Sequence, residues 1–126
     1  MSRAERGRRA ARRGRWAETL CVLALVLKGW RIVGRGVKGR RGSGVGEVDI
    51  IARRGRVLAF IEVKARPGLD QAAAALSAGQ QRRLVRAAER FLALHADFAG
   101  HDPRFDAMLV APWRWPVHIP DAWSQV

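Results

Sequence analysis

Apolar positions along this chain change period several times, and each change marks an element. From residue 1 to about 28 the composition is dominated by Ala, Arg, Glu and Leu, no proline interrupts, and Gly29 stands where a helix takes its C-terminal cap. The pattern predicts a helix over that stretch, with a basic first segment (1–13) that frays. Trp30–Val33 reads as a short strand. Six glycines (34, 36, 39, 42, 44 and 46) then alternate with Arg35, Lys38, Arg40 and Arg41, a loop too rich in conformational freedom to order itself cheaply. Two apolar runs at about 47–52 and 57–65 flank Arg53-Arg54-Gly55-Arg56 and predict a hairpin. Pro67-Gly68 stops the second strand, and Asp70 is placed to cap a short Ala-rich helical stretch. Ser77 opens a stronger helix to about Ala96, with Leu84, Ala88, Phe91, Leu92 and His95 on one stripe. A last strand is expected from about Arg104 to Ala111, followed by an irregular tail (112–126) with three prolines and three tryptophans, packed by its aromatics. The order α-β-β-β-α-β, over a domain spanning 14–111, predicts a mixed α/β fold with a central sheet.

Composition narrows the class. A chain of 126 residues with 48% hydrophobic content makes one folded domain. Its single cysteine, Cys21, excludes an internal disulfide framework and fits a buried small side chain in a reducing compartment. The apolar run Leu20–Leu27 is eight residues long, well short of the roughly 20 that span a bilayer. No cleavage site or twin-arginine consensus follows the paired arginines, so a cytoplasmic protein without membrane association is expected. Net charge is +13, and residues 1–44 alone hold 13 Lys/Arg against 2 Asp/Glu. The last 60 residues are neutral, with 6 of each sign. A basic third joined to a neutral remainder suits a polyanionic partner, and nucleic acid ranks ahead of a plain solubility tail.

The hairpin carries the candidate chemistry. It sets Asp49, Glu62 and Lys64 inside otherwise apolar strands, where a charge is costly unless paired, hydrogen-bonded or metal-bound. Glu47 and Asp49 share one strand face, as do Glu62 and Lys64. With Arg54-Gly55 as a two-residue turn, Arg53 pairs with Arg56. Asp49 then lies opposite Phe60, with Glu62 diagonal to it on the same face at roughly 5–8 Å. A register slip of one residue would separate the two carboxylates. Carboxylates at that spacing suit a hard divalent cation such as Mg²⁺ or Mn²⁺, which lowers the pKa of a water and balances charge on a phosphate. The competing reading is a set of ordinary ion pairs with Lys64 or a nearby arginine.

The motifs Gly46-Glu47-Val48-Asp49-Ile50-Ile51-Ala52, Phe60-Ile61-Glu62-Val63-Lys64-Ala65-Arg66 and Arg104-Phe105-Asp106 resemble, in order and spacing, the YraN family. That family is similar to archaeal Holliday-junction resolvases and belongs to the PD-(D/E)xK, restriction-endonuclease-like superfamily. The resemblance covers residues 14–111. It implies a restriction-endonuclease-like core, a central mixed sheet flanked by helices, and divalent-metal phosphodiester chemistry on DNA. It also implies Asp49 and Glu62 as metal ligands and Lys64 as the catalytic lysine. Glu18 matches the N-terminal helix glutamate that reaches the metal in resolvase-like relatives, and its apolar neighbours Cys21, Val22 and Leu25 turn it toward protein. Gln80 matches a catalytic Lys/Gln position on the following helix, although Ser77-Ala-Gly-Gln80 also reads as a capping box. Asp106 reads as a structural ion-pair residue. The chain departs from the family in a longer glycine-rich loop and in Arg35-Gly36 where Arg-Asn is common.

Arg83, Arg86 and Arg90 fall on one helical stripe and, with Arg35, Lys38, Arg40 and Arg41, form an expected phosphate clamp. No base-reading motif is present, so structure-selective or non-specific binding is expected. The tryptophans are assigned to core and tail packing, and the three histidines show no metal-ligand spacing. The expected function is therefore a Mg²⁺- or Mn²⁺-dependent endonuclease acting on structured or branched DNA. A two-fold dimer suits paired cuts. The alternative is a catalytically silent nucleic-acid-binding protein that keeps the nuclease fold.

Overall fold

The computed structural model of the chain describes residues 3–38 and 47–123. Its elements are α1 (Arg3–Leu27), β1 (Arg31–Val37), β2 (Val48–Arg54), β3 (Val57–Ala65), α2 (Leu69–Ala74), α3 (Ala78–Leu94), a 3₁₀ turn (Ala96–Phe98), β4 (Asp102–Val110) and β5 (Val117–Ile119). The strands form one five-stranded sheet in the order β1-β2-β3-β4-β5. The first three are antiparallel neighbours, β3 and β4 run parallel, and β5 returns antiparallel to β4. A parallel pair needs a long crossover, and α2 and α3 supply it.

The alternation of apolar residues along the central strands feeds two cores. Ile50, Ala52, Ala59 and Ile61 face α1, packing on Ala17, Cys21, Ala24 and Leu25 with Trp30 and Met108. Ile51, Leu58 and Phe60 face α3, packing on Leu84, Ala87, Ala88 and Phe91 with Phe105. Each fully buried Ile, Leu or Phe contributes roughly 1.5–3 kcal/mol, so the central hairpin is held firmly from both faces. The C-terminus of α1 closes by the two bonds of a Schellman motif. The Trp30 N–H donates to the Leu25 carbonyl and the Gly29 N–H to that of Val26, each at 3.0 Å. Gly29 takes φ +90°, and the Leu25–Trp30 contact lies in the α1 core.

The expected α/β architecture is present, with four local differences. First, β1 starts one residue later than expected and runs on to Val37, absorbing Gly34 and Gly36 into a strand bulged between Ile32 and Gly34. Second, the hairpin turn is Gly55-Arg56, with Arg54 paired to Val57 and Ile50 to Ile61. Gly55, at φ +59°, occupies the first central position, where a II′ turn takes glycine. Third, Asp70 lies in the first turn of α2, whose N-cap is Gly68. Fourth, the tail carries β5, and only Trp123 among its tryptophans packs inward, stacked on Phe105. Trp113 and Trp115 are exposed, as is Trp16 on α1. Arg40 and Arg41 lie outside the described residues.

Candidate active site

β2 and β3 pair from the turn only as far as Ile50 and Ile61. Beyond that point β2 stays with β1, where Val48 pairs with Val37, while β3 stays with β4 up to Ala65 and Val110. The sheet therefore forks. Asp49 and Glu62 stand one residue past the last rung, where both line the same space. The turn is displaced by one residue at each end, so the parity of the pairing is unchanged. Within the fork the Asp49 Oδ2 accepts a hydrogen bond from the Val63 N–H at 2.8 Å, replacing a rung the diverging backbones cannot make. Lys64 Nζ stands 3.2 Å from Glu62 Oε1, and both side chains are largely buried.

Electrostatics mark the fork as short of positive charge. Burial pushes the Asp49 carboxyl up to about 7, helped by Glu62, Glu18 and Glu47 and opposed by the Val63 hydrogen bond. Glu62 is also raised, by burial first, against the pull of Lys64 and Arg83. Cys21, under the same site, is pushed up to about 12 by burial, with Asp49 and Glu18 adding to it. These groups surround two adjoining spaces. One, of about 400 Å³, is lined by Arg15, Glu18, Glu47, Asp49, Lys64 and Arg66 among others. The second, of about 240 Å³, is lined by Glu47, Asp49, Glu62, Gln80, Arg83 and Leu84.

The structure thus brings Asp49, Glu62, Lys64, Gln80, Arg83 and Glu18 around one fork. Glu18 does turn toward protein, but its partner is Arg35, whose Nε donates to Oε1 at 3.1 Å while Nη2 donates to Thr19. Arg35 is accordingly tied to α1 rather than free in a loop. Ser77 caps α3 by accepting from the Gln80 N–H at 3.2 Å. The reciprocal half of a capping box is absent, and the buried Gln80 Oε1 has no protein partner. Lys38 and Arg90 meet beside Phe91 and His95, away from the fork, and Arg86 is exposed.

Asp106 is elsewhere and is structural. It is fully buried, takes a two-bond grip from Arg104 at 2.8 and 2.9 Å, and meets His118 Nε2 at 2.7 Å and the Asp121 N–H at 2.9 Å. Burial alone would raise its carboxyl, but these bonds hold it at about 2. Arg104 and Arg54 also sit over the Trp30 ring, at 5.4 and 4.6 Å from its centroid. No local spacing signals the role of His118, because its partner lies twelve residues away across β4 and β5.

Among the described residues, no group of three or more His, Cys, Asp and Glu side chains comes together to hold a metal. The donor set nevertheless fits a hard cation that retains waters. Two facing carboxylates share a burial-raised proton affinity, a lone amide oxygen lies beside them, and Mg²⁺ takes one or two protein carboxylates.

The chain is thus an α/β protein: a mixed sheet between helical layers, with acidic side chains at a fork of its central strands. The chain belongs to the uncharacterised protein family UPF0102, whose model matches residues 17–110. A UPF0102 protein of Paramagnetospirillum magneticum, amb4503, is 55% identical over 114 residues, covering 90% of this chain and 88% of that protein. One from Parvibaculum lavamentivorans is 52% identical over 117 residues, covering 93% and 85% respectively. Among solved structures, Archaeoglobus fulgidus Hjc, a Holliday junction resolvase from an archaeal hyperthermophile, is similar in fold. Its TM-score is 0.56 at 24% identity, covering 82% of this chain and 72% of that one. No helix among the described residues is long and apolar enough to cross a membrane.

Proposed function

We propose that this chain is a divalent-metal-dependent endonuclease that hydrolyses phosphodiester bonds in structured or branched DNA. The observation that carries the reading is the Asp49–Glu62 pair at the strand fork, with Lys64 ion-paired to Glu62 and proton affinity raised by burial and mutual repulsion. Asp49 and Glu62 would hold Mg²⁺ or Mn²⁺, and the ion would lower the pKa of a water and balance charge on the phosphate. Lys64, fixed by Glu62, is placed to orient that water or to offset charge on the pentavalent phosphate. Gln80 offers its free amide oxygen to the same space, and Arg83 stands beside it to take a phosphate oxygen. Lys38, Arg86 and Arg90 extend the basic surface along α3, positioning the backbone without reading bases.

The test is cleavage of four-way, duplex and single-stranded DNA with Mn²⁺ by wild type, Asp49→Asn and Lys64→Ala. Both variants are expected to lose cleavage by at least ~100-fold while DNA affinity in chelator changes little. Unchanged cleavage in both sinks the proposal. A second reading, a DNA-binding protein that no longer cuts, is favoured by one observation. Arg35 already neutralises Glu18, the third carboxylate the resemblance would give to the metal. On that reading no variant alters cleavage, because the wild type shows none.

A further inference from the structure

Pro112-Trp113-Arg114-Trp115-Pro116 leaves the sheet at the C-terminal end of β4. The candidate site stands at that same end. β3 and β4 run in parallel with Lys64 level with Leu109 and Ala65 level with Val110. The Arg66 N–H extends the pairing by donating to the Val110 carbonyl at 3.0 Å. At roughly 3.3 Å per residue along a strand, Trp113 therefore begins within about 15 Å of Lys64.

Trp113 breaks two rules at once. Its relative exposure is 102%, and its backbone sits in the left-handed region at φ +64°. Water contact forfeits what burial of an indole would contribute, and a left-handed backbone is strained for any side chain. A glycine at this position would remove both penalties, so the fold gains nothing from tryptophan here. Prolines 112 and 116 restrict the flanking backbone. Trp115 is also half exposed, and Arg114 lines a space of about 600 Å³ with Pro67, Gly68, Asp70 and Ala111. An outward aromatic face beside a guanidinium complements a ligand that carries flat rings on a phosphate chain.

We infer that Trp113 is a stacking wedge for an unstacked nucleobase beside the phosphate to be cut, with Arg114 contacting the flanking backbone. The inference rests on the nucleic-acid reading of the fork and adds the source of substrate selectivity. In continuous duplex every base is already stacked, so an external indole gains little. At a branch or gap a base face is open, and the indole can cover it.

The test is equilibrium binding of the full chain in chelator, followed by fluorescence anisotropy, on a four-way junction and on duplex of equal length. Trp113→Ala is expected to weaken junction binding by about 5- to 150-fold, the range for losing one stacked base, and duplex binding by less than about 3-fold. Trp113→Phe is expected to stay within about 3-fold of wild type on both. Equal loss on both substrates, or no loss on either, overturns the wedge. The nuclease reading fails separately. A chain that cuts normally while Trp113→Ala binds unchanged loses the wedge alone. One that never cuts but shows junction-selective loss keeps the wedge and loses the nuclease.

Discussion

Replacing Asp49 by Asn isolates the electrostatic strain at the fork. The amide oxygen still accepts the Val63 N–H bond, and volume is nearly unchanged, so charge is what differs. Folding raises the Asp49 carboxyl from the ordinary 3.8 to about 7. The folded protein thus holds its proton more tightly than the unfolded chain. The associated stability is fully present below pH ~4, falls as pH rises, and is lost once pH passes the folded value near 7. Each tenfold change in proton affinity is worth about 1.36 kcal/mol, so the full loss approaches ~4 kcal/mol, more than half of it between pH 5 and pH 8. Asparagine has no such loss. In chelator, the melting temperature of Asp49→Asn is expected to pull ahead of wild type across that interval, by on the order of 10 °C. Saturating Mg²⁺ should close the gap by stabilising wild type alone, since the ion binds the ionised pair. A gap that stays flat from pH 5 to pH 8 in chelator would refute the argument, whatever the cleavage assays show.

Two further outcomes follow from the buried groups. Asp106→Ala leaves Arg104 and His118 without their acceptor and the tail without its anchor. It should lower stability by about 3–5 kcal/mol in denaturant titration. In wild type that contribution is present above pH ~4 and fades as pH falls toward the folded value of about 2, which acid titration of Asp106→Ala against wild type would reveal. Cys21, with its thiol pushed up to about 12, should resist alkylation at pH 8 in the native protein and react fully in denaturant. Fast native labelling would contradict its burial.

The central chemistry was legible because charge is so unwelcome in a strand. Asp49, Glu62 and Lys64 stood out against their apolar runs, and the alternation of faces tied Glu62 to Lys64. Parity was legible as well. Register was not, because Gly55 can serve either of two turn frames, and the pairing of Arg54 with Val57 takes the later one. Glu18 could be read as facing inward from its helical neighbours, but its ion pair with Arg35 joins residues 17 apart that no local pattern links. The grip of Asp106 on His118 and Asp121 is hidden for the same reason, since β5 finds β4 only through tertiary packing. Tryptophan composition was right for Trp30 and Trp123, which pack, and misled for Trp16, Trp113 and Trp115, which are exposed. Burial is the usual fate of an indole, and nothing in the spacing of Trp113 tells a strained, outward residue from a packed one.

The Asp49–Val63 bond has an evolutionary side. Because that carboxylate stands in for a missing backbone rung, a descendant that gave up catalysis would still need an acceptor at position 49, and asparagine would supply it with less strain. Drift from Asp to Asn here is downhill in stability at neutral pH. An aspartate that persists against that slope is retained for its charge, whereas an asparagine beside an altered Lys64 would mark a lineage that has retired the site while keeping the sheet.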